Sequence, residues 1–87
     1  MTKKYEFTGE TQIVNGVTFK RIRRISDGLI GGWIEKEENL SHESACFVHG
    51  DALVYEDARV YGKAQVLGKA QVCGNELVSG KEMIHEL

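Results

Sequence analysis

The side chains with chemical potential in this 87-residue chain are three histidines (His42, His49, His85), two cysteines (Cys46, Cys73) and a run of cations, Lys20, Arg21, Arg23 and Arg24. Histidines invite a metal or an acyl-transfer reading. On the repeat set out below, His49 and His85 fall in one outward column, two turns of chain apart. At about 4.8 Å per strand that separation is roughly 9–10 Å, too far to share a Zn²⁺ held by bonds of about 2 Å. Surface or interface histidines are the stronger reading. The cysteines match no CxxC spacing, so free thiols in a reducing compartment are expected. The register points Cys73 outward, with nothing placed to lower its pKa. No Ser/His/Asp set, paired-carboxylate motif, P-loop or GxGxxG occurs. The expectation is a protein that is not an enzyme, with no catalytic, metal or cofactor-binding residue and no cofactor.

The basic run has two readings. It is either a solvated strand end pairing with Glu35, Glu37 and Glu38, or a contact for an acidic protein surface or for nucleic-acid phosphates. Single-strand binders interleave aromatics for stacking, and only Phe19 adjoins this run. The formal net charge is −2, whereas general nucleic-acid binders are basic. A nucleic-acid partner is therefore disfavoured.

Whatever these residues do, they are positioned by a repeat. Val48, Val54, Val60, Val66, Val72, Val78 and Ile84 stand six apart without a slip. Gly50, Gly62, Gly68, Gly74 and Gly80 follow two residues later, and Ala52, Ala58, Ala64 and Ala70 four later. A period of six suits a chain winding as a β-solenoid, with one short strand and one corner per repeat. The aliphatic residue points in at mid-strand and the small residue points in near the corner. The glycine relieves the φ restriction at the bend. Three units make a turn of eighteen residues. That arrangement stacks Val48, Val66 and Ile84 in one column, Val54 and Val72 in a second, and Val60 and Val78 in a third, over about two and a half coils. A degenerate unit, His42 to Phe47, precedes them with Cys46 in the small-residue slot. Glu76 and Glu82 occupy that slot at the other end, where an unpaired carboxylate cannot stay buried, so the last coil should open or distort.

Residues 3–25 read as a β-hairpin, because Asn15-Gly16 between β-branched runs suits a type I′ turn. Ile22 and Ile25 are three apart, which implies a bulge or a strand end. Ser26-Asp27-Gly28 reads as a turn, and Glu35 to Asn39 as a surface loop or one helical turn. Residues 1–40 thus form a hairpin and capping segment, and residues 41–87 the repeat region, within one compact domain. Trp33 is expected to plug the open first end of the coil. No apolar run approaches the ~20 residues of a membrane span and the start has no signal-like apolar stretch. A soluble protein of the bacterial cytoplasm, with no membrane partner, is the expectation.

The repeat resembles the hexapeptide-repeat, left-handed β-helix proteins. More closely, the chain is similar to small phage and prophage proteins related to the YdcK-type bacterial proteins. The stretches that carry the likeness are Val14-Asn15-Gly16, Gly31 to Asn39 (with Gly-Gly-Trp-Ile-Glu-Lys-Glu) and Val54 to Val72. The resemblance implies a left-handed β-helix and a mobile-element origin, and no particular activity. The acyltransferases that share this architecture usually need more coils, a trimer and a histidine in a projecting loop, whereas this chain has about two and a half coils and no insertion between its repeats.

Outward positions on the expected faces are unusually apolar. They are Phe47, His49, Gln65, Leu67, Met83 and His85 on the first, Leu53, Tyr55, Gln71 and Cys73 on the second, and Arg59, Tyr61, Leu77 and Ser79 on the third. An apolar, aromatic patch with a polar rim reads as an interaction surface, unless the hairpin folds back over it. The reading reached is a non-catalytic protein-binding module, a stoichiometric inhibitor or modulator of a host protein such as an anti-CRISPR or other anti-defence protein. Its partner-binding residues would be Phe47, Leu53, Tyr55, Tyr61 and Leu67, with charges from Arg21, Arg23, Arg24, Glu35, Glu37 and Glu38. A self-assembling solenoid or homodimer, and a hexapeptide-type acyltransferase or small-ligand binder, are the alternatives.

Overall fold

The computed structural model describes residues 3–81, 83 and 84. Its regular structure is all β apart from one 3-10 turn, Glu37–Asn39. Strands β1 (Tyr5–Val14) and β2 (Val17–Arg24) form the hairpin. Asn15 and Gly16 both take positive φ, +50° and +82°, as a type I′ turn requires. Register shifts interrupt β1 between Phe7 and Thr11 and β2 between Arg21 and Arg23. Ile22, on the side of β2 opposite Phe19, joins the core. β3 (Ile30–Ile34) then pairs antiparallel with β2.

Seven two-residue strands follow: β4 (Phe47–Val48), β5 (Leu53–Val54), β6 (Arg59–Val60), β7 (Gln65–Val66), β8 (Gln71–Val72), β9 (Leu77–Val78) and β10 (Met83–Ile84). Each pairs in parallel with the strand three places along. Three sheets result, in the orders β1-β2-β3-β5-β8, β10-β7-β4 and β6-β9. The registers Val48↔Val66↔Ile84, Val54↔Val72 and Val60↔Val78 are those the period of eighteen predicts. Val48, Val54, Val60, Val66, Val72 and Val78 are all buried, as are Ala52, Ala58, Ala64 and Ala70.

The stacking starts upstream of residue 41. Ile34 pairs with Val54, and Leu40 bridges to Val60. Both offsets are twenty residues, whereas Val48 meets Val66 at eighteen. The two extra residues lie in the Ser41–Ala45 stretch, where Ser44 takes a positive φ of +59°. β3 lies hard against its neighbour. A Cβ on Gly31 would come within 2.7 Å of the Val48 carbonyl oxygen, and one on Gly32 within 2.7 Å of Val48 Cγ1. Only glycine permits that approach.

Trp33 does not plug the first end of the stack. It is the neighbour of inward-facing Ile34, so alternation turns it to the opposite side of the sheet. There it packs with Phe19 and Leu53. The residues that join the buried valine columns from the hairpin are Tyr5 and Ile22. At the other end, Glu76 is exposed, its carboxylate turned out of the small-residue slot as the cost of burying it requires. Glu82 lies outside the described residues.

Candidate functional site

The hairpin decides which expected contact residues remain available. Its distal half curls over the outer side of β5. Phe19 packs with Trp33 and Leu53, against half-buried Val14, Val17 and Tyr55, and the Phe19 and Tyr55 rings meet edge to face at 5.4 Å. A small cavity of about 210 Å³ remains between the Asn15 turn and Tyr55. Leu53 is therefore a hairpin contact, only 8% exposed.

Phe47 is also removed from the surface. It has no exposed area and belongs to the main core with Tyr5 and Ile22. Gly31 lies against its ring, and the Arg24 guanidinium sits 5.2 Å from the ring centroid. A two-residue strand has an inward and an outward position, but Phe47's outward position is roofed by the β2–β3 segment. Leu67, just after the central strand β7 of the same sheet, is half-buried.

The basic run is satisfied within the protein, though not by the acids its sequence suggested. Arg23 pairs with Glu6 and Arg24 with Asp27, an i,i+3 bridge in which Arg24 holds the Asp27 carboxyl down to about 2. Arg21 lies over the Trp33 ring at 5.0 Å and donates to the Gly31 carbonyl at 3.1 Å. Lys20 donates to the Glu35 carbonyl at 3.0 Å. Glu35 in turn accepts from the Glu56 backbone N–H at 2.7 Å. Arg21, Arg24 and Glu35 thus knit the hairpin to the stacked strands, while Arg23 ties the two hairpin strands to each other.

One face stays bare. β6 and β9 form a two-stranded sheet that no hairpin strand joins, and its outward residues Arg59, Tyr61 and Leu77 are exposed, Tyr61 at 40% and Leu77 at 59%. An open groove of about 690 Å³ runs there, lined by Leu40, Tyr61 and Leu77, by the carboxylates Glu37 and Glu38, and by Ser41, His42 and Arg59. Of the expected contact residues the structure gathers Tyr61, Glu37 and Glu38 at this groove. Leu77 and Arg59, placed on the same face by the repeat register, complete it.

The end of the groove at Glu37 is tied together by several contacts. Tyr5 stacks on His42 with ring centroids 4.0 Å apart, and its buried hydroxyl donates to the Leu40 carbonyl at 2.7 Å. Burial, then the nearby Glu37 charge, pushes the Tyr5 phenol far up. His42 Nδ1 accepts the Lys4 backbone N–H at 3.1 Å, so its Nε2 carries the proton that reaches Glu37 at 3.1 Å. That bond and the Lys3 contact hold the Glu37 carboxyl below its ordinary range. Glu38 and Arg59 have no ion-pair partner among the described residues.

His49 bonds to Gln65 at 2.6 Å, and His85 lies outside the described residues. Among the described residues no three His, Cys, Asp or Glu side chains cluster as metal ligands, and no helix is long and apolar enough to cross a membrane. No protein-family model matches the chain, and no curated protein matches it.

Proposed function

We propose that the chain is a non-catalytic protein-binding module, of the phage and prophage type, that blocks a host protein stoichiometrically in the bacterial cytoplasm, as anti-CRISPR and other anti-defence proteins do. Its framework is a short left-handed β-helix capped by the hairpin, a reading supported by the three parallel ladders at a spacing of eighteen. The observation that carries the binding proposal is the bare β6·β9 face. An exposed tyrosine and leucine line the groove there with Arg59 and Glu38, a cation and a carboxylate that have no ion-pair partner among the described residues. Aromatic anchors ringed by polar groups are what binding surfaces share.

The occupant is an extended segment of the partner protein. It sets an apolar side chain against Tyr61 and Leu77, a basic residue toward Glu38 and an acidic one toward Arg59. Charge complementarity of this kind sets orientation and rejects wrong partners. The test is cross-linking capture from host lysate, with wild type, Tyr61→Ala, Leu77→Asp and Ile13→Asp compared. A host protein retained by wild type and Ile13→Asp, and lost with both groove variants, supports the reading. Capture insensitive to the groove variants overturns it. Light scattering over a concentration series provides the other outcome: a dimer abolished by Leu77→Asp would make a second copy the occupant.

A further inference from the structure

We propose that Lys4 and Cys46 are the two ends of an oxidative cross-link, formed when peroxide oxidises the buried thiol. Lys4 Nζ lies 3.3 Å from Cys46 Sγ, bringing together side chains forty-two residues apart in the chain. The same ammonium donates to the carbonyl oxygens of Cys46 at 2.6 Å, Ser44 at 3.1 Å and Glu43 at 3.4 Å. It is therefore fixed over the sulfur by the irregular turn that holds the two extra residues. The thiol has its own acceptors, the Ser41, Glu43 and Val60 carbonyls at 3.5–3.6 Å.

Cys46 has no exposed surface, but its cover is thin: Lys4 is half-buried, and Glu43, Ser44 and Ala45 are exposed. Peroxide reaching the sulfur through this turn leaves a sulfenic acid directly beside the lysine nitrogen. The nucleophile already in contact is Lys4 Nζ, and sulfenic acids condense with nitrogen as well as with thiols. In the first step peroxide gives one oxygen to the thiol, its O–O bond breaks and water leaves. In the second, Lys4 loses a proton to solvent and its nitrogen lone pair attacks sulfur. The S–O bond breaks, the oxygen departs as water with an N–H proton, and an S–N bond remains. One peroxide is reduced to water and one sulfur is oxidised. The product ties the base of β1 to the turn before β4 and removes one positive charge.

The experiment uses the full chain carrying Cys73→Ser, so that no disulfide competes. Hydrogen peroxide is added under native conditions, and intact mass is followed. The expected product is two hydrogen masses lighter, yields a proteolytic peptide joining positions 4 and 46, forms faster as pH rises, and reverts with a thiol reductant. Closing this loop should raise the melting temperature by roughly 10 °C. Lys4→Arg keeps the charge and removes the primary amine, so it should gain oxygen on Cys46 and form no link; its own melting curve verifies folding. Oxygen added to Cys46 beside an unmodified Lys4, or a thiol inert to peroxide in the folded protein, overturns the proposal.

Discussion

Asn39→Ala is the substitution whose cost follows most directly from the structure. Asn39 is fully buried, and its side chain makes four hydrogen bonds. Oδ1 accepts from the backbone N–H groups of Glu35 at 3.1 Å and Lys36 at 2.9 Å. Nδ2 donates to the carbonyls of Glu56 at 3.1 Å and Ala58 at 2.9 Å. The carbonyls of Ala52, Ala64 and Ala70 accept backbone N–H groups from Trp33, Phe47 and Leu53. At Ala58 the Asn39 amide does this work. The Glu35 N–H also reaches the Val54 carbonyl, so three of the four groups lose their partner in the variant. At about 1 kcal/mol per bond, more where the group stays dry, the loss is about 3 kcal/mol. For a domain of this size, stable by roughly 4–13 kcal/mol, that is a large share. Urea unfolding followed by circular dichroism should show it, with a melting point roughly 15 °C lower. A loss below about 1 kcal/mol at an unchanged m-value would refute the claim that this amide stitches the segment to the neighbouring strand.

Asn39→Asp should respond to pH in the opposite sense from wild type: its carboxyl, facing two carbonyls, would have a raised pKa, so relative stability returns on acidification and is lost as pH rises. In wild type, Asp27 and Glu37 are depressed, so their stabilisation is present above the ordinary carboxylate range and is lost as pH falls, for Asp27 toward about 2; thermal melts across pH check both signs. Val60→Asp should prevent folding, because it sets an unpaired carboxylate at a fully buried column position, and a soluble variant that melts cooperatively would contradict the register. Gly32→Ala should cost about 1–3 kcal/mol through overpacking against Val48 and the Ala52 carbonyl, read as a lowered urea midpoint.

The valine columns were legible because a strict period leaves one register in which every sixth side chain is covered. The hairpin was legible because Asn15-Gly16 has few other uses. The first turn of the stack was not. Ile34 and Leu40 are themselves six apart, but two residues out of phase with Val48, and a strict reading of the period discards them. That phase slip was the available signal, and it marks the turn that Lys4 clamps. Asn39 looked like a surface residue because its neighbours are charged, whereas burial was decided by carbonyls elsewhere in the chain. Phe47 and Leu53 occupy outward positions by local alternation. Their covers, Arg24 with Gly31 and Phe19 with Trp33, come from long-range packing that no local pattern encodes. Tyr61, Glu37 and Glu38 converge through the stacking of separate segments, which period counting places on one side without showing the groove between them.

The offset of eighteen shared by the paired strands from β4 to β10 has an engineering consequence. A further eighteen-residue block copied from Val54–Gln71 and spliced in after Gln71 would keep every valine, alanine and corner in register, each original residue meeting its own copy, while leaving the hairpin contacts on β5 in place. The chain therefore behaves as a ruler whose markings can be added between two fixed ends. The bare face would lengthen by one strand per added block, and the reach of whatever lies along it would become a variable set by gene length.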